Sequence, residues 1–121
     1  MRPEERDAAH LWDMLRAARE AHRFASEVSA HSFATDRMRQ LAVERAVEII
    51  GEAANRVSEA CRSRHPEIPW RSIIAQRNVL AHEYGEIRQE RMHALATTRL
   101  VELIAQLERV VPPAPEAPPA G

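Results

Sequence analysis

One short stretch, Arg77-Asn78-Val79-Leu80-Ala81-His82-Glu83-Tyr84, gathers the residue types from which acid–base chemistry on a phosphodiester can be built. Histidine titrates near neutral pH, so His82 can take the proton of a ribose 2′-hydroxyl or protonate a leaving oxygen. The guanidinium of Arg77 offers paired donors to a phosphate and can stabilise the charge that builds up in the transition state. Asn78 is a supporting candidate that can orient the phosphate or the imidazole. Together these residues are a minimal kit for RNA cleavage without a metal. On a regular helix the two principal residues, five positions apart, sit about 140° apart around the axis. They converge only if the chain bends between them or if both reach a shared groove. Tyr84-Gly85, a helix-stop signal directly after His82, favours a bend.

Spacing alone is a weak signal. A second Arg-x4-His pair, Arg88 and His93, falls inside an amphipathic helical stretch and is read as chance. What sets the first pair apart is Tyr84, the only tyrosine of the chain. Local charge agrees with an anionic substrate. Net charge is −1, yet the segment from Cys61 to His82 holds Arg62, Arg64, Arg71 and Arg77 against the single acid Glu67, a balance of +3. All seventeen Lys and Arg positions are arginine. Arg62, Arg64 and Arg71 are therefore candidate RNA contacts, although solvated surface is the commoner fate of such residues.

The elements that must carry this stretch are helical. Glycine, aromatic and β-branched residues are sparse, which argues against a sheet. Apolar periodicity predicts a first helix from Glu4 to Val28 and a second from Asp36 to Arg62, the latter capped by Thr35 or Asp36. A third runs from near Trp70 to His82, and a fourth from Ile87 to Val110. Ser63–Trp70, with Pro66 and Pro69, reads as a loop from which Ile68 and Trp70 fold back as a plug. Gly51 lies inside the second helix, where glycine costs roughly 1 kcal/mol, and so points to close helix–helix packing or to a partner surface. The expected architecture is an all-α, up-and-down four-helix bundle over residues 1–111, with room for a short extra helix. Residues 112–121 form a Pro/Ala-rich tail expected to be disordered. The wide apolar arcs of the second and fourth helices point to a homodimer.

Three separated motifs, Ile50-Gly51-Glu52-Ala53-Ala54-Asn55-Arg56-Val57-Ser58, then Pro66-Glu67-Ile68-Pro69-Trp70, then Arg77-Asn78 through His82-Glu83-Tyr84, closely resemble the HepT-like branch of the HEPN families. The likeness covers about residues 8 to 110. It implies a helical, homodimeric ribonuclease toxin of a toxin–antitoxin pair, with the Arg and His of both subunits facing a cleft at the dimer interface and no metal required. By this resemblance Arg77 and His82 are catalytic, Asn78 is supporting, and Tyr84 is the residue to which a minimal nucleotidyltransferase antitoxin transfers AMP.

Other classes fare worse. The single Cys61 allows no internal disulfide, no apolar run approaches a membrane span, and Met1–Asp7 lacks the apolar core of a signal peptide, so a cytoplasmic location without membrane contact is expected. No cofactor is implied. The metal-like fragments Glu90…His93, Asp7…His10 and His82-Glu83 lack the partners that a di-iron or zinc site needs, so no metal is expected. The competing reading is a non-catalytic helical module that binds a nucleotidyltransferase through the same polar motif.

Overall fold

In the computed structural model, residues 2–82 and 87–112 are described, and they are helical throughout apart from short connections. The first helix, α1 (Pro3–Ser26), opens with Pro3 in its first turn and a Glu5 carboxylate that accepts from the Arg2 amide at 3.4 Å. Leu11, Met14, Leu15, Ala18 and Ala21 are buried along one of its faces, as helical periodicity requires. The next long helix, α3 (Arg37–Arg56), is capped by Asp36, whose carboxylate accepts from the Arg39 amide at 3.0 Å. It lays Val43, Val47, Ile50 and Ala54 against α1, and on its other flank it carries α5 (Trp70–His82). A continuous rod from Gln89 to Val110 closes the bundle, packing its second half, α7 (Leu100–Val110), on α1 through Leu103 and Leu107.

Three features depart from the expected outline. The helix expected over Asp36–Arg62 breaks at Val57, which is extended (φ −66°, ψ 135°), and restarts as α4 (Glu59–Arg64). Ser58 causes the break. Its hydroxyl caps α4 by accepting from the Cys61 amide, and the buried Asp7 carboxylate takes its amide at 2.8 Å and its hydroxyl at 2.7 Å. Continuing the helix would forfeit both bonds to Asp7. The connection over Ser29–Thr35 contains a one-turn helix, α2 (Ala30–Phe33), which seats Phe33 in the core. The last rod, numbered α6 (Gln89–Ala94) before α7, is interrupted by a π-helical stretch at Leu95–Arg99. Its displaced carbonyls find side-chain donors: Thr97 Oγ1 donates to His93 O, Thr98 Oγ1 to Ala94 O, and His22 Nδ1 to Ala96 O at 3.0 Å. His93, from the discounted second Arg-x4-His pair, directs its Nε2 at Ala25 O and Val28 O at the end of α1 and packs on Phe33, while Arg88 stays exposed.

Elsewhere the outline holds. Ile68 is buried, and Trp70 packs beneath it and donates its Nε1 to His65 O at 3.0 Å, so the plug is formed. Met38 and Leu41, on the apolar arc of α3, are 84% and 50% exposed, as is Val101 of α7 at 48%. Among the described residues no helix is long and apolar enough to cross a membrane. The tail beyond Pro112 lies outside the described residues.

The Asp7–Ser58 link makes a stability prediction. Burial would by itself raise the Asp7 carboxyl, but the two hydrogen bonds from Ser58, with the nearby charges of Arg64 and His10, outweigh it and hold the group below the usual aspartate value. Removing the acceptor in Asp7→Ala strands the Ser58 amide and should cost about 2 kcal/mol, read from the urea midpoint. Because the folded-state value is the lower one, this contribution is complete above the unfolded value of about 3.9 and fades as pH falls through the depressed folded value. Acidification should therefore destabilise the parent protein more steeply than the variant.

Candidate active site

The crossing of α3 and α5 is set by Gly51. A Cβ placed there would lie 2.1 Å from Arg77 Cβ, 2.8 Å from Arg77 Cγ and 3.2 Å from the Ile73 carbonyl oxygen, so only glycine lets the stem of Arg77 lie across α3 at this level. The packing role read for Gly51 is thus borne out, and its partner is the candidate catalytic arginine itself. The guanidinium then emerges beside the next turn of α3. There a polar cleft of about 340 Å³ is lined by Glu52, Asn55 and Arg56 of α3 and by Ile74, Arg77 and Asn78 of α5.

Within this cleft Arg77 is half-buried, and its Nη1 donates to Asn78 Oδ1 at 3.2 Å. Its Nε is buried without a hydrogen-bond partner among the described residues. Neither Arg77 nor Arg56 pairs with a carboxylate among those residues. The acid at hand, Glu52, is already engaged from outside the cleft by Arg45, 3.4 Å away, which also holds Glu48 at 3.2 Å. Two guanidiniums thus share a confined space with a carboxylate that is already paired. Such a place attracts an anion, and a phosphate suits the planar donors of arginine.

Arg77 and Asn78 therefore come together as the motif suggests, and Glu52 and Asn55 join them from α3. Of the arginines in the basic stretch, only Arg77 lines this cleft. Arg62 and Arg64 lie on α4, the latter near Asp7, and Arg71 is exposed in the first turn of α5. Arg56 was absent from the candidates. The signal for it lay in its spacing, since it follows Gly51 by five positions and Glu52 by four on the helix that Arg77 crosses. Cys61 is buried, and burial followed by the nearby Asp7 charge pushes its thiol up, which suits an inert core residue.

The backbone of α5 stays helical from Trp70 through His82, so the bend considered between Arg77 and His82 is not found there. The side chain of His82, and Tyr84 with Gly85 after it, lie outside the described residues.

Comparison with known proteins shows the family of the chain. The family described as "Ribonuclease HepT-like" matches residues 14–110. The chain belongs to that family, and it is a ribonuclease. A relative from Thermococcus cleftensis named as a ribonuclease HepT is 39% identical over 62% of this chain and 68% of its own length. Two relatives from Methanocaldococcus jannaschii carry the name RNase. One is 36% identical over 63% of this chain and 70% of its own length. The other is 27% identical over 90% of both. No solved structure matches the chain at a significant level. The matched region includes α3, α5 and the whole cleft.

Proposed function

We propose that this HepT-like protein is the toxin of a toxin–antitoxin pair, a metal-independent endoribonuclease in which Arg77 and His82 are the catalytic residues. The observation that carries the reading is the cleft between α3 and α5, where Arg77 has no carboxylate partner among the described residues and stands beside Asn78, on the helix that runs to His82. The 2′-oxygen of the substrate attacks the adjacent phosphorus while the P–O5′ bond breaks, which yields a 2′,3′-cyclic phosphate and a 5′-hydroxyl. Histidine takes the 2′-OH proton or supplies the one that the leaving oxygen needs, and Arg77 stabilises the phosphorane charge.

On a regular helix such as α5 the positions of Arg77 and His82 lie about 140° apart around the axis, which suits a site assembled from two copies of the chain better than one completed within a single copy. The exposed Met38 and Leu41 lie on the α3 that lines the cleft, and they give a homodimer apolar surface to cover. Silencing is assigned to a minimal nucleotidyltransferase antitoxin. The Tyr84 hydroxyl attacks the α-phosphorus of ATP, pyrophosphate leaves, and the bulky, charged adenylate blocks the cleft. A cytoplasmic location fits this pairing.

Two measurements test the reading. Purified protein should cleave RNA in EDTA, and His82→Ala should lower that rate by about 10²–10⁴-fold. Full activity in the histidine variant would sink the catalytic assignment. Co-expression with a neighbouring nucleotidyltransferase should add mass in whole multiples of one adenylate, and Tyr84→Phe should abolish the gain. An unmodified mass would move inhibition to simple covering of the cleft.

A further inference from the structure

The cleft holds one more guanidinium than the scissile phosphate requires. We propose that Arg56 forms a second phosphate subsite, holding the phosphodiester next to the scissile one in a single-stranded RNA. This rests on the ribonuclease reading above and extends it to how substrate is gripped. Arg56 stands in the last turn of α3, exposed, and lines the same cleft as Arg77 from the opposite helix. Among the described residues it donates to no carboxylate, whereas Arg37, Arg39 and Arg45 on the same helix all do. Its neighbour Glu52 cannot neutralise both cleft arginines, because Arg45 already shares that carboxylate. Two like charges facing one cavity are therefore best balanced by a ligand that brings two negative charges spaced along a chain. Successive phosphates of a nucleic acid strand do this. At about 340 Å³ the cleft lies at the small end of ligand pockets, a size that suits one or two nucleotides of a strand. Asn55, next to Arg56 on α3, also lines the cleft, where its amide can meet a ribose or a base edge.

The test uses the full-length protein and a short 2′-O-methyl RNA, which binds but cannot be cleaved through its 2′-oxygen, alongside the unmodified RNA as substrate. Arg56→Ala should weaken binding of the 2′-O-methyl RNA and raise KM roughly tenfold, while kcat changes little. The slope of log K against log salt should fall by about 0.7, the signature of one lost phosphate contact on a single strand. Arg56→Lys should keep that slope, and Arg109→Ala, an exposed charge on α7 away from the cleft, should leave both quantities unchanged. An Arg56→Ala protein that is folded and retains the parental salt slope would overturn the subsite. A parent that binds the 2′-O-methyl RNA with this Arg56-dependent slope, but cleaves no RNA, would support the subsite and overturn the ribonuclease reading instead.

Discussion

Arg77→Ala should lower kcat by about 10²–10³-fold and leave the fold intact. The magnitude is that of removing one preorganised donor from a developing oxyanion. The fold should survive because, among the described residues, Arg77 has little to lose: its Nε is buried without a partner, its Nη1 reaches Asn78 next to it, and no ion pair depends on it. Alanine keeps the Cβ that faces Gly51, so the crossing of α3 and α5 is preserved. Arg77→Lys should recover little activity, since a point charge on a flexible stem does not reproduce two donors in a plane. The measurement is single-turnover cleavage of a fluorescent RNA, with thermal unfolding run in parallel. Cleavage by Arg77→Ala within a factor of a few of the parent would remove this residue from the mechanism. Loss of activity accompanied by a large drop in melting temperature would instead mark Arg77 as structural.

The second large effect is expected at Gly51→Ala. Alanine is ordinarily the better helix former by roughly 1 kcal/mol, so an exposed glycine in this position would be stabilised by the change. Here the new Cβ would fall 2.1 Å from Arg77 Cβ, and the obstructing atoms are the root of a side chain and a backbone carbonyl, neither of which can swing aside. The helices must separate. Overpacking of this kind costs about 1–3 kcal/mol, so the net change should be destabilising. The catalytic consequence should be larger than the thermodynamic one, because moving α5 off α3 displaces Arg77 from the cleft, and a misplacement of about 1 Å can cost a hundredfold in rate. Calorimetry and single-turnover cleavage on the same preparation separate the two effects. A Gly51→Ala protein that is more stable than the parent and fully active would show that the crossing is not as close as described.

Much of the site was legible before the fold was known, and for identifiable reasons. Trp70 opens α5 as expected because Pro69 precedes it. Gly51 stood out as an unfavourable residue in a strongly helical run, which is how a close crossing betrays itself in sequence. What escaped notice depends on contacts between distant parts of the chain. The break at Val57 was hidden because apolar periodicity continues through it. Ser58 acts as a cap only because Asp7 holds its amide. The π stretch at Leu95–Arg99 is supported by His22 from another helix, and periodicity cannot register a single inserted residue. Met38 and Leu41 satisfied the apolar pattern of α3 yet remain exposed, since a pattern shows which face is apolar but not whether the same chain covers it. Arg56 was passed over because charge density along the sequence drew attention to Arg62, Arg64 and Arg71, whereas the cleft selects residues by their height on two crossed helices.

The bond between Asp7 and Ser58 also bears on the order in which the molecule assembles. It joins residues 51 positions apart, and the helix it anchors, α4, has only six residues. A helix of that length does not persist alone in water. The turn from Val57 into α4 therefore waits until α1 has docked on α3, and the loop that places Trp70 at the start of α5 waits with it. The α1–α3 pair is therefore expected to form before α4 is anchored. Substitutions at Asp7 should accordingly speed unfolding far more than they slow folding. A chain caught midway would have α1 on α3 while the turn at Val57 and α4 are still unformed.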